Sequence, residues 1–160
     1  MQRFPNARFR AVVIVLAALA SLLAPLAGAA PTNGLRTIAT SHSFPALQER
    51  LERAVEKHGL AVVAAASASR GAAARGVKIP GNSVVMVFRN DYAVRMLEAS
   101  VPAGIEAPLR YYVTENADGT ATLSWRTPTS VFGPYGSERL DALARELDPI
   151  FEAIGHDASQ

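Results

Sequence analysis

The sequence predicts an α+β domain: a mainly antiparallel, five-stranded sheet with two long helices on one face. Asp118-Gly119 separates two segments of alternating apolar and polar residues, which is the pattern of a β-hairpin. The predicted elements follow the order β-α-β-β-(α)-β-β-α. Because each long helix has one apolar stripe and one charged face, both are expected to cover the same side of a single sheet.

The first 29 residues are typical of a secretory signal peptide rather than of the domain. Three arginines precede an apolar run of 14 residues, 11–24, and a small-residue stretch follows it. A membrane-spanning helix needs roughly 20 apolar residues, so the run favours a cleaved leader over an uncleaved anchor. Cleavage is expected after Ala27-Gly28-Ala29, which predicts a periplasmic or secreted protein with no membrane attachment after signal cleavage.

Charge and cysteine content exclude several classes of protein. Of 16 Lys and Arg residues, three lie in the leader, which leaves 13 against 14 acidic residues and a net charge near −1. A domain with this balance has no electrostatic preference for nucleic acid or anionic membranes. The chain has no cysteine, which rules out thiol chemistry, disulfides and thiolate metal sites.

The first half of the domain contains three predicted strands and one long helix. After a flexible lead-in at 30–36, the single domain is expected at 37–155, and it begins with a strand at 37–42. Ser43 is the expected N-cap of a helix over 44–58, whose apolar residues recur every three or four positions, and Gly59 ends it. Strands are predicted at 60–69 and 83–88, with a short helical turn or a loop between them.

The second half is predicted as a short helix, the hairpin and a second long helix. The short helix occupies 91–100 and stops at Pro102. The hairpin strands lie on both sides of Gly119, and the segment 129–136 is expected to be a loop. Ser137 is the expected N-cap of the final helix, Pro149 is expected to kink it, Gly155 to end it, and 156–160 to form a polar tail.

Three segments resemble the "domain of unknown function 302" family of small bacterial proteins. They are "AVEKHGLAVV", the apolar strand that ends in Phe88 and Asn90, and "APLRYYVTENADGTATLSW". The resemblance covers roughly 37–151 and implies a TATA-binding-protein-like fold, often as a homodimer, with no established reaction. The family tends to have Phe-Gly-Asn-Pro at this turn, whereas this chain has Arg89 and Asp91 in place of Gly and Pro and so departs from the family pattern there.

One candidate binding surface lies on the hairpin. Tyr111 and Trp125 share the parity of apolar neighbours and are expected in the core, whereas Arg110, Tyr112 and Arg126 are expected on the opposite face. If helices cover only one side of the sheet, this second face meets water, a ligand or another subunit. A Tyr-Arg surface suits an interface, although a single exposed aromatic residue is also ordinary.

A second candidate lies where a buried strand ends in Arg89-Asn90-Asp91. Asn90 or Asp91 is predicted to be the N-cap of the following helix, because the first N–H groups of a helix need acceptors. The alternative is that Asn90 and the helix N-terminus bind an anionic ligand, with Arg89 adding charge. The capping interpretation is favoured because it requires only the local sequence pattern of a helix start and no ligand.

No cofactor and no metal site are predicted, since His42, His58 and His156 lack ligand spacing. The sequence favours a non-enzymatic module that forms a homodimer and binds a small ligand or an envelope protein. A small periplasmic hydrolase or isomerase using carboxylate, His or Tyr acid–base chemistry is the alternative, and no catalytic residues are assigned to it.

Overall fold

The sheet has five strands in the spatial order β1-β5-β4-β3-β2, and every neighbouring pair is antiparallel. The computed structural model describes residues 34–160. The predicted signal peptide therefore lies outside the described residues. The strands are β1 (Leu35–Ser43), β2 (Ala61–Ala66), β3 (Asn82–Phe88), β4 (Leu109–Glu115) and β5 (Thr120–Arg126).

In the part of the chain that the structure describes, five α-helices and two 3₁₀ turns connect and cover these strands. Within the described part of the chain, no helix is long and apolar enough to cross a membrane. The 3₁₀ turns are Val101–Glu106 and Gly133–Tyr135. The α-helices are α1 (Phe44–Lys57), α2 (Ala68–Ala73), α3 (Asn90–Ala99), α4 (Pro128–Phe132) and α5 (Glu138–Ser159).

The core forms between one face of the sheet and the two long helices, α1 and α5. Alternate residues of the central strands point into it because side chains in a strand alternate between faces. The hairpin supplies Tyr111, Val113, Leu123 and Trp125, all buried. The helices pack the same core with buried apolar residues that recur every three or four positions: Leu47, Leu51 and Val55 from α1, and Leu140, Leu143, Leu147, Phe151 and Ile154 from α5.

Among residues 34–160, both long helices leave the opposite face of the sheet uncovered. We define the open face by side chains that the register places together and that are exposed or half-buried: Thr37, Val84, Met86, Arg110, Tyr112, Ser124 and Arg126. Neither long helix covers these residues. The predicted fold class is therefore confirmed, with a five-stranded antiparallel sheet and both long helices on one side.

The first difference from the prediction lies at the start of the sheet. Strand β1 begins at Leu35, so Leu35 and Arg36 belong to the sheet rather than to a flexible lead-in. The segment predicted as a loop contains α4 and a 3₁₀ turn, because the Thr127 side chain accepts a hydrogen bond from the Ser130 N–H and Pro128 starts the turn.

The third difference lies at the C-terminus. Helix α5 continues through Gly155 and the predicted polar tail to Ser159. A Cβ at Gly155 would lie 2.5 Å from Cη2 of Trp125. Gly155 therefore allows the helix to pack closely against the sheet and does not end the helix. The local sequence does not distinguish these two roles of a glycine.

Candidate functional site

Arg110 and Arg126 lie at the same end of the open face. The pairing of β4 with β5 begins with Tyr111 opposite Trp125, and Arg110 and Arg126 are the next residues outward on the two strands. On their other sides, Arg110 pairs with Met86 of β3 and Arg126 pairs with Leu35 of β1. The fold thus places two arginines at the same end of this face.

Tyr112 lies in the next row of the same face. It stands opposite Val84 and Ser124, and 43% of its surface is exposed. Ser124 Oγ lies 3.2 Å from Thr37 Oγ1, so the row continues as a pair of hydroxyl groups toward the edge strand. The three residues predicted for this surface, Arg110, Tyr112 and Arg126, are therefore neighbours.

A groove of about 390 Å³ runs over these rows. Glu106, from the 3₁₀ turn before β4, and Val131, from α4, contribute to its lining beyond the sheet. The groove combines an apolar surface with charged groups. Its other lining residues are Leu35, Val84, Leu109, Arg110, Tyr111, Tyr112, Ser124, Trp125 and Arg126.

Glu106 is the carboxylate of the groove, and both of its oxygens have partners. Oε2 lies 3.5 Å from Arg110 Nη2, and Oε1 accepts a hydrogen bond of 3.0 Å from the Tyr135 hydroxyl. Desolvation of the phenol, and then its hydrogen bond to Glu106, raise the pKa of Tyr135 above its ordinary value. Tyr135 therefore acts as a donor that holds Glu106 in place.

The residues at the junction of β3 and α3 do not line the groove. Arg89 forms two hydrogen bonds to the Asp91 carboxylate, of 2.7 and 2.9 Å, and its guanidinium lies 3.7 Å from the centre of the Tyr92 ring. The hydrogen bonds from Arg89 hold the pKa of Asp91 below its usual value. The cation of Arg89 is thus neutralised within its own turn.

The predicted N-cap at this junction is wrong. Helix α3 begins at Asn90, its N-cap position is Arg89, and no side chain caps the helix by a hydrogen bond. Asp91 lies in the first helical turn, where a carboxylate favours the positive end of the helix dipole. The acidic residue therefore stabilises the helix start through charge and through Arg89 rather than as a cap.

Comparison with known proteins identifies the family. The family model described as "Domain of unknown function DUF302" matches residues 36–154. This chain belongs to the DUF302 family. The crystal structure of an uncharacterized conserved protein DUF302 from Bacillus stearothermophilus is similar to it, with a TM-score of 0.71 and 20% sequence identity over 79% of this chain and 98% of that one. No functionally curated protein matches the sequence.

Arg89 stands in this DUF302 domain where the family resemblance implies a glycine. Arg89 has φ −145° and ψ 126°, an extended conformation that any residue adopts. The strand end therefore needs no glycine here, and the turn accommodates arginine with its side chain folded back onto Asp91 and Tyr92.

Sequence analysis missed Glu106 and Val131 as groove residues. Both lie in short helical turns, whose position over the sheet depends on tertiary packing rather than on periodicity. By contrast, the sequence could predict that Arg110 and Arg126 lie on the same face of the hairpin. A two-sided alternating pattern around Gly119 fixes the hairpin register, and the register sets the cross-strand pairs.

Two histidines meet at the end of α5 in this DUF302 domain. Asp157 Oδ2 lies 2.9 Å from His58 Nε2 and 2.7 Å from Lys57 Nζ, and Asp157 Oδ1 lies 3.6 Å from His156 Nδ1. This cluster joins the last turn of α5 to the end of α1. Over residues 34–160, no group of three or more His, Cys, Asp or Glu residues is placed to hold a metal ion.

Proposed function

We propose that this DUF302 domain is an exported, non-enzymatic binding module whose working surface is the open face of its sheet. The observation that supports this best is the groove of about 390 Å³, which combines two arginines, a tyrosine and an apolar wall. Small-molecule sites typically measure about 300–1,000 Å³ and pair an apolar lining with a few polar groups. The groove fits a small ligand by both criteria.

Export is supported by the arginine-rich start, the short apolar run and Ala27-Gly28-Ala29. The mature protein then works in the periplasm or outside the cell. Intact-mass measurement of the periplasmic fraction tests this, with loss of residues 1–29 as the expected result. A full-length product in the membrane fraction would contradict export.

Native mass spectrometry of the mature protein from its own host tests ligand binding. A Ser124→Tyr variant should lose any retained small molecule, because a larger side chain at this half-buried position fills the groove. Thr114→Tyr is the matched control: it adds the same ring to the same face, outside the groove. Equal retention by wild type and both variants would place the ligand elsewhere.

Self-association through the open face is a second candidate. Tyr112 and Leu35 are 43% and 40% exposed on a face that neither long helix covers. A homodimer would bury them against a second copy. Tyr112→Asp should then shift a sedimenting dimer toward monomer without unfolding the protein.

A second exposed apolar surface supplies the control for the dimer. Val101 and Ile105, in the 3₁₀ turn before β4, are 72% and 79% exposed. Ile105→Asp should leave a dimer through the open face intact. A wild-type monomer at tens of micromolar would contradict self-association, since a micromolar dissociation constant already gives mostly dimer at that concentration.

The hydrolase or isomerase alternative has weaker support from the groove. A carboxylate that acts as a general base needs an oxygen within hydrogen-bonding reach of the substrate proton. The two oxygens of Glu106 face Arg110 and the Tyr135 hydroxyl instead. This arrangement positions the carboxylate as a counterion, which favours binding over acid–base catalysis.

A further inference from the structure

We infer that the exposed apolar side chains of α3 and of the 3₁₀ turn before β4 form an interface with a second copy of this chain. We name this surface the α3 patch and define it by four residues: Val94, Leu97, Val101 and Ile105. The inference goes beyond the proposed function, because it places the second copy on a surface other than the open face. Ion pairs join α3 to α5, on the helix side of the sheet, so a dimer through the α3 patch leaves the groove free for a ligand.

The four side chains form one continuous surface. Val94 and Leu97 lie three positions apart on α3 and therefore share a face of the helix. The turn packs against Leu97, since a Cβ at Gly104 would lie 3.1 Å from Cδ2 of that residue. The exposed fractions are 47% for Val94, 45% for Leu97, 72% for Val101 and 79% for Ile105.

The α3 patch faces away from the core. Helix α3 buries Tyr92 and Met96, which lie on the side of the helix opposite Val94. Single exposed apolar residues are ordinary on a protein surface, whereas contiguous ones mark interaction sites. The largest apolar patch on a typical monomer measures about 300–600 Å² and is often functional. Four large apolar side chains at these exposures reach that range.

The turn holds its two apolar residues in fixed positions. Ala103 lies between Val101 and Ile105 in the chain and is fully buried, which anchors the middle of the turn to the core. The hydroxyl of Tyr135 donates a hydrogen bond of 3.0 Å to Glu106 and so holds the end of the turn. A surface that is ordered before association loses less conformational entropy when it binds. The turn is thus prepared for a contact.

The charges at the border of the α3 patch favour a second copy over a lipid surface. On α3, Glu98 lies 3.7 Å from Arg139. At the end of the turn, Glu106 lies 3.5 Å from Arg110. Two carboxylates and two guanidinium groups give these ion pairs no net charge, whereas attraction to anionic lipid requires an excess of Lys and Arg. Paired charges around an apolar centre form the polar rim that is typical of protein interfaces.

The area of the α3 patch sets the strength of the expected contact. A stable interface buries about 800 Å² on each partner. The apolar centre supplies part of this area and the border ion pairs supply more, although exposed ion pairs add little free energy. Pairing of the same patch across a two-fold axis gives the commonest kind of oligomer. We therefore expect a reversible dimer with a micromolar dissociation constant.

Sedimentation of the mature protein at tens of micromolar tests this interface. Ile105→Asp and Val101→Asp should each weaken self-association at least tenfold, because each places a charge at the apolar centre. Both side chains are mostly exposed, so the thermal transition should be retained. Val77→Asp is the matched control. Val77 is 50% exposed and precedes β3, whereas α3 follows that strand, so it lies at the opposite end of the sheet. This control should dimerise as the wild type does.

Crosslinking provides a second measurement, because the chain contains no cysteine and an introduced thiol is unique. Ile105→Cys treated with a short bismaleimide should give a covalent dimer on a denaturing gel. Val77→Cys under the same conditions should remain monomeric. Equal crosslinking of the two variants would show random encounter rather than an interface, and would contradict the inference.

The outcomes separate the α3 patch from the other candidates. A wild-type monomer, or a dimer that both Ile105→Asp and Val101→Asp leave intact, overturns the inference. A dimer that only Tyr112→Asp dissociates overturns it too, and assigns the second copy to the open face. A monomer that co-sediments with vesicles of phosphatidylcholine and phosphatidylglycerol, and that Ile105→Asp releases, overturns it in favour of lipid. Retention of a small molecule, and its loss in Ser124→Tyr, test the groove independently of all these results.

Discussion

Tyr111 donates a hydrogen bond of 3.0 Å from its hydroxyl to the backbone carbonyl of Phe151, and the two rings stack with centroids 5.2 Å apart. The contact joins the central strand β4 to helix α5 two residues after Pro149. Tyr111 is fully buried, so its hydroxyl needs this acceptor. One side chain thus fixes the second half of α5 over the sheet, directly behind the groove.

We predict that Tyr111→Phe lowers the free energy of unfolding by about 1 kcal/mol, the typical net value of a buried hydrogen bond. Burial raises the pKa of the Tyr111 phenol well above its ordinary value near 10. The folded state therefore keeps this proton while the unfolded state releases it, and wild type should lose stability as pH rises above about 10. Urea unfolding at pH 8 and pH 11 measures both effects.

The matched control is Tyr112→Phe, which removes a hydroxyl from the exposed neighbour. It should leave stability nearly unchanged and keep the alkaline loss, whereas Tyr111→Phe should reduce that loss. An equal alkaline loss in wild type and Tyr111→Phe would show that other groups cause it.

Gly155→Ala should destabilise the protein by about 1–2 kcal/mol, because an added methyl group would overpack against Trp125. The helix propensity of alanine opposes this loss by up to about 1 kcal/mol. Gly71→Ala in α2 is the control, since a Cβ there meets nothing within 4 Å. Thermal unfolding of both variants decides it. A stabilised Gly155→Ala would show that the contact with Trp125 does not require glycine at this position.

Most of the fold followed from periodicity and turn chemistry in the sequence. Alternation around Gly119 specified the hairpin, and the apolar stripes specified α1 and α5. The end of α5 could not be predicted from the sequence, because a glycine at a helix–sheet contact and a glycine after a helix give the same sequence pattern. Only the position of Trp125 on the facing strand distinguishes them.

The candidate site was predicted in part. Strand parity placed Arg110, Tyr112 and Arg126 on one face, since a strand has a period of two residues. Glu106 and its donor Tyr135 lie in 3₁₀ turns 29 positions apart in the chain. No local pattern links such residues, because their contact depends on how the turns pack against the end of the sheet.

Asn90→Ala should change the free energy of unfolding by no more than about 0.5 kcal/mol, because Asn90 is an exposed residue in a helix without a side-chain cap. Ser137→Ala should cost about 1 kcal/mol, since Ser137 caps α5 by accepting from the Leu140 N–H and also donates to the Ala99 carbonyl. Urea titrations of the two variants compare the helix starts directly. A larger loss for Asn90→Ala would restore it as a cap.

Asp157→Asn should lower the melting temperature at pH 5 and lower it less at pH 2.5. Hydrogen bonds from Lys57 and then His58 hold the pKa of Asp157 well below its ordinary value. A lowered folded-state pKa gives stability that is fully present above the unfolded value near 4 and is lost progressively as the pH falls from there through the folded value. Calorimetry at the two pH values measures the difference, with Asp141→Asn as control. A constant difference would exclude the linkage.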